Sequence, residues 1–68
     1  MGEEVRSIVA KSIENLPEDL KMAISLREFD GLSYDEIAEV MNCPIGTVRS
    51  RIFRARETIE AELLPLIG

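Results

Sequence analysis

Residues 33–56 read S-Y-D-E-I-A-E-V-M-N-C-P-I-G-T-V-R-S-R-I-F-R-A-R, and this stretch decides the fold. Ser33 followed three residues later by Glu36 is a capping box. The serine caps a helix start, and the glutamate reaches back to the serine's own N–H. Ile37, Ala38, Val40 and Met41 give that short helix an inward face, and it does not extend past Asn42. Cys43-Pro44 marks the next boundary, with Pro44 suited to the first turn of a longer helix. Helix, tight turn, helix is the layout of a helix-turn-helix unit. In that unit the first helix braces against the DNA backbone and the second enters the major groove.

Charge singles out the second half of the stretch. Residues 43–56 hold four arginines and no acid, while the 42 residues before them hold ten Asp/Glu against four Lys/Arg. The twelve after them add three Glu and no base. A segment of +4 thus sits between segments of −6 and −3, in a chain of net charge −5. Overall acidity argues against general coating of nucleic acid, so contact with a polyanion must be local and oriented.

Working outward, Val5, Ile8, Val9, Ser12, Ile13 and Leu16 recur at helical spacing, with Glu3 and Glu4 in the first turn, where the helix dipole favours acids. Asn15-Leu16-Pro17 breaks this helix, and Pro17, Glu18 and Asp19 begin another. Leu20, Ala23, Ile24, Leu26 and Phe29 supply its apolar face, and Asp30-Gly31 closes it. The expected elements are helices over about 3–15, 17–29, 33–41 and 44–62, with Pro65 and Gly68 finishing the chain. No strand pattern, repeat or linker is present. The fold class is all-α, with residues 1–68 a single domain. Met1-Gly2 reads as an addition ahead of the natural sequence, and the chain as a piece of a longer protein.

Composition narrows the function. With no histidine and one cysteine, an N/S metal site is not expected, nor an internal disulfide. No apolar run approaches the ~20 residues that span a bilayer, and the acidic start lacks a secretion-signal layout. A reducing cytoplasm suits the single thiol. No nucleophile–base pair or glycine-rich phosphate loop is present, and Asp35, Glu36 and Glu39 read as capping and surface charges. The chain is not expected to be an enzyme or to need a cofactor.

Advancing ~100° per residue from Val48 places Ile52, Ala55 and Ile59 within about 40° of it, one apolar stripe that must face the core. Opposite lie Ser50, Phe53, Arg54 and Glu57, with Arg49 and Arg56 flanking one side and Arg51 the other. Phe53 is the informative residue, because phenylalanine on a polar face either covers a neighbouring protein surface or touches a thymine methyl in the groove. Ser50 and Arg54 beside it offer a hydroxyl and a guanidinium to base edges, and Arg49 lies nearer the deep-reaching N-terminal end. The alternative for the arginines is a solvated face with salt bridges to Glu57, Glu60 or Asp35, strongest for Arg51 and Arg56, which border the core. Gly46 and Thr47 can offer a backbone N–H and a hydroxyl to phosphate. Arg27 and Tyr34 are further backbone anchors, packing against the turn being the alternative for Tyr34.

The motifs D-G-L-S-Y-D-E-I-A at 30–38 and P-I-G-T-V-R-S-R-I-F-R-A-R at 44–56, with L-P-E-D-L at 16–20 and L-R-E at 26–28, resemble a known family. It is the C-terminal promoter-reading domain, region four, of bacterial extracytoplasmic-function sigma factors, in particular the envelope-stress sigma-E type. The likeness spans about residues 5–67. It implies binding to double-stranded promoter DNA at the −35 element within RNA polymerase holoenzyme, docking on the β-subunit flap, masking by an anti-sigma factor, and a bacterial cytoplasmic location. Carried over, Arg49, Ser50, Phe53 and Arg54 become the base-reading set. Arg27, Tyr34, Gly46 and Thr47 become backbone contacts, and Arg51 and Arg56 are expected to touch the DNA backbone as well. Nothing here matches the N-terminal domain that reads and melts the −10 element.

Two other readings remain. A protein-interaction module would explain the many apolar residues beyond a small core's needs, among them Val5, Val9, Met22, Leu26, Phe29, Leu63, Leu64, Leu66 and Ile67. An unrelated response-regulator or repressor output domain would need a dimer on a palindrome, and the chain offers no dimer helix. A monomer is expected.

Overall fold

The computed structural model describes the backbone of residues 2–67 and the side chains of residues 4–65. Met1 of the expected added start, the first-turn charge of Glu3, the apolar side chains of Leu66 and Ile67, and the terminal Gly68 lie outside what is described. Helices α1 (Gly2–Glu14), α2 (Glu18–Glu28), α3 (Tyr34–Met41) and α4 (Ile45–Ile67) follow in order, and the described residues contain no strand.

The first three helices begin and end within one or two residues of the expected positions, because the residues that stop them act locally. Ser33 Oγ accepts from the Glu36 N–H at 3.1 Å, and Glu36 Oε1 accepts from the Ser33 N–H at 2.9 Å, which completes the capping box. At the other end of α3, Asn42 takes the left-handed conformation (φ 52°), which asparagine tolerates better than most residues. There the Cys43 N–H reaches the Ala38 carbonyl at 3.0 Å. Gly31, at φ 68°, turns the chain out of α2.

One boundary was not foreseen. α4 continues five residues past 62 and runs through Pro65. A proline there removes one N–H donor to the carbonyl four residues back. That carbonyl belongs to Ala61, which is exposed, so water can satisfy it and the helix need not stop.

α4 packs against α1, α2 and α3, whereas among the described residues the backbones of α1 and α3 do not come close. Its 23 residues rise about 35 Å and account for the 37 Å long axis of the molecule. The core is Ile13 and Leu16, Ala23 and Ile24, Ile37, and Val48, Ile52 and Ala55. Ser12, also buried, donates its hydroxyl to Glu62 and ties α1 to the far half of α4.

Three residues expected on apolar faces lie outside the core. Val5, in the first turns of α1, is 37% exposed. Phe29 is 71% exposed, because it follows the last residue of α2 at ~140° around the axis from buried Ile24. Val40 is 58% exposed. It falls on the side of Ile37 away from Ala38 and Met41, which are the residues that pack.

Candidate nucleic-acid interface

The stripe on α4 is buried as its spacing demands: Val48, Ile52 and Ala55 are at most 1% exposed, and Ile59 packs against the same cluster. Burying this stripe fixes the rotation of α4 and turns Arg49, Ser50, Phe53 and Arg54 outward together, all exposed. These four line one shallow depression with Glu57. Phe53 keeps 63% of its surface exposed at the centre of this face, so no helix of the domain covers it.

An adjoining depression gathers Gly46, Thr47, Ser50, Arg51 and Arg54 with Asp19 and Leu20 of α2. The carbonyl of Pro44 accepts from the Thr47 N–H at 3.0 Å and from the Val48 N–H at 3.3 Å. The first-turn donors left to outside partners are therefore those of Ile45 and Gly46. A Cβ built on Gly46 meets nothing within 4 Å, so nothing inside the domain requires a glycine there.

The arginines divide into two groups. Arg51 Nε lies 3.6 Å from Asp19 Oδ2, and its Nη1 approaches Cys43 Sγ at 3.7 Å. Arg56 Nη2 donates to Glu28 Oε1 at 2.7 Å. That hydrogen bond, with a smaller contribution from Tyr34, raises the Arg56 guanidinium above its ordinary value. Both arginines thus pin α4 to α2 rather than to Glu57, Glu60 or Asp35. Asp19 and Glu28 were not recognisable as these partners from sequence, because what joins them to Arg51 and Arg56 is helix packing and not spacing along the chain. Arg49 and Arg54 take part in neither ion pair found among the described residues.

Arg27 and Tyr34 come together at one end of this face. Arg27 Nη1 donates to the Leu32 carbonyl at 3.0 Å, and its guanidinium lies 5.1 Å from the Tyr34 ring centroid. Arg49 approaches the same ring at 6.0 Å. Tyr34 is half-buried and packs against the core cluster. Among the described residues there is no cluster of metal ligands and no helix long and apolar enough to cross a membrane.

The arrangement offers a helix face with two arginines outside the ion pairs of the described residues, a hydroxyl and an exposed ring, next to a helix start whose Ile45 and Gly46 N–H groups have no carbonyl one turn back to bond. Such a face fits a groove lined by base edges and phosphates. A family model described as "Sigma-70, region 4" matches residues 6–59. The chain is 67% identical over 67 residues to the ECF RNA polymerase sigma-E factor of Escherichia coli (strain K12), a match covering 98% of this chain and 35% of that protein. The Salmonella typhimurium (strain LT2) protein of the same name matches to the same extent. That of Haemophilus influenzae (strain Rd) is 63% identical over the same shares. The chain spans about a third of the length of the curated relatives it matches.

Proposed function

The chain belongs to the sigma-70 region 4 family, and on that footing we propose that it reads the −35 element of bacterial promoters as one part of RNA polymerase holoenzyme. α4 enters the major groove with Arg49, Ser50, Phe53 and Arg54 toward base edges. Arg27, Gly46 and Thr47 hold the phosphate backbone, and Tyr34 stands beside them with its ring against Arg27. Arg51 and Arg56, engaged by Asp19 and Glu28, brace α4. The observation that carries this reading is the exposed Phe53 between two arginines outside the ion pairs of the described residues, on a face whose rotation the core dictates. The chain needs no catalytic group for this task and acts in the cytoplasm, where promoter DNA is.

A second surface favours protein partners. Phe29 borders a groove of about 310 Å³ lined by Val9, Ile13, Ile24 and Ile59, with Arg56 and Glu28 at its edge. We assign this groove to the polymerase β flap or an anti-sigma factor, which would then engage the domain away from Ser50 and Arg54.

Base reading is tested by Arg54→Ala. Truncating a guanidinium aimed at a base edge should cost about 1–3 kcal/mol on the preferred duplex and relax preference at one position. Titration against a panel of −35-like duplexes measures both. A variant that keeps the wild-type ratio between specific and scrambled duplexes removes Arg54 from the reading set.

A further inference from the structure

Tyr34, the chain's single tyrosine, occupies the first position of α3, where the Ser33–Glu36 capping box holds the backbone. Guanidinium groups from two other helices converge on its ring, Arg27 of α2 at 5.1 Å and Arg49 of α4 at 6.0 Å. Both lie within the range over which an aromatic face attracts a cation. Arg27 has a second support in the Leu32 carbonyl. Arg49 is in neither ion pair of the described residues, and the Tyr34 ring is the aromatic face its guanidinium approaches.

We propose that Tyr34 is a positioning residue. Its ring holds Arg49 in the orientation that meets a base edge, and so sets preference at one base pair, without the tyrosine hydroxyl being needed. The proposal rests on the base-reading role of Arg49. It differs from a phosphate anchor, which would use the hydroxyl and act alike on every sequence.

The test compares wild type, Arg49→Ala, Tyr34→Phe, Tyr34→Leu and the double variant Tyr34→Leu/Arg49→Ala on duplexes differing at single positions. The free domain is also compared by NMR at the Arg49 side chain. Tyr34→Phe should keep both affinity and preference. Tyr34→Leu should lose about two- to fivefold in discrimination, at the base pair where Arg49→Ala loses it. The double variant should then be no worse than Arg49→Ala alone.

Discrimination that falls in Arg49→Ala but not in Tyr34→Leu overturns the positioning role and leaves base reading intact. A uniform loss of affinity in Tyr34→Phe does the same. Discrimination unchanged in Arg49→Ala overturns the base-reading assignment, and this proposal with it. Should Tyr34→Leu fail to fold, the free domain decides. Arg49 side-chain resonances shifted by the ring in both wild type and Tyr34→Phe support the proposal, and resonances at random-coil positions overturn it.

Discussion

At Gly46, the second residue of α4, the chain carries the amino acid that costs a helix most after proline. Nothing within the domain calls for it: its φ is not positive, and an added Cβ meets open space. The bare backbone is explained if something from outside must come close to the first turn, as a phosphate on the free N–H groups of Ile45 and Gly46 would. Gly46→Ala should therefore separate stability from binding. The alanine reduces unfolded-chain entropy and should stabilise the free domain by about 0.5 kcal/mol, a rise of about 2–4 °C for a domain of this size. Affinity for a −35 duplex should fall. Thermal melts and duplex titrations of the same preparations check the pair of outcomes, and affinity that rises along with stability removes the close phosphate approach.

Among the elements, α3 owes its start to a device that titrates. Glu36 is held below its ordinary value of 4.5, first by the hydrogen bond from the Ser33 N–H and then by the Ser33 hydroxyl. A depressed carboxylate contributes stability that is fully present above its unfolded value and is lost as pH falls through the lower folded value. Glu36→Gln keeps an acceptor but does not titrate. Wild type should melt above it at pH 6–7, and the gap should close as pH drops below about 4.5. A gap that stays constant down to pH 3 would mean that the charge of Glu36 does not matter to the cap. The box was readable in advance because its two residues are three apart. The turn at Asn42 and the buried stripe of α4 were readable for the same reason, being matters of neighbours and of a ~3.6-residue period. What depends on packing was not. The period alone cannot say that α2 presents Asp19 to Arg51 and Glu28 to Arg56, nor that exposed Ala61 lets α4 pass through Pro65. It did select Arg49, Ser50, Phe53 and Arg54 as one face, because the opposite side of the same helix is so plainly apolar.

For the whole molecule, charge sets how binding should respond to salt. An acidic body of net charge −5 repels DNA everywhere but at the arginine face, so affinity should be weaker than the ~10⁻⁸ M of ordinary specific complexes. Each phosphate neutralised by a cationic side chain contributes about −0.9 to the slope of log K against log salt. With Arg51 and Arg56 held by Asp19 and Glu28, the cations left on the DNA-reading face are Arg27, Arg49 and Arg54, and the slope should be no steeper than about −2.7. Surface ion pairs are worth only about 0–1 kcal/mol each, so phosphate is the natural competitor for both held arginines. Asp19→Asn and Glu28→Gln release Arg51 and Arg56 without removing them. The double variant should steepen the slope toward about −4.5 if the freed side chains then find phosphates. Titrations from low to moderate salt on one duplex measure both slopes. A wild-type slope already near −4.5 would mean that the pairs open on DNA, making Arg51 and Arg56 part of the grip on the backbone as well as of the brace.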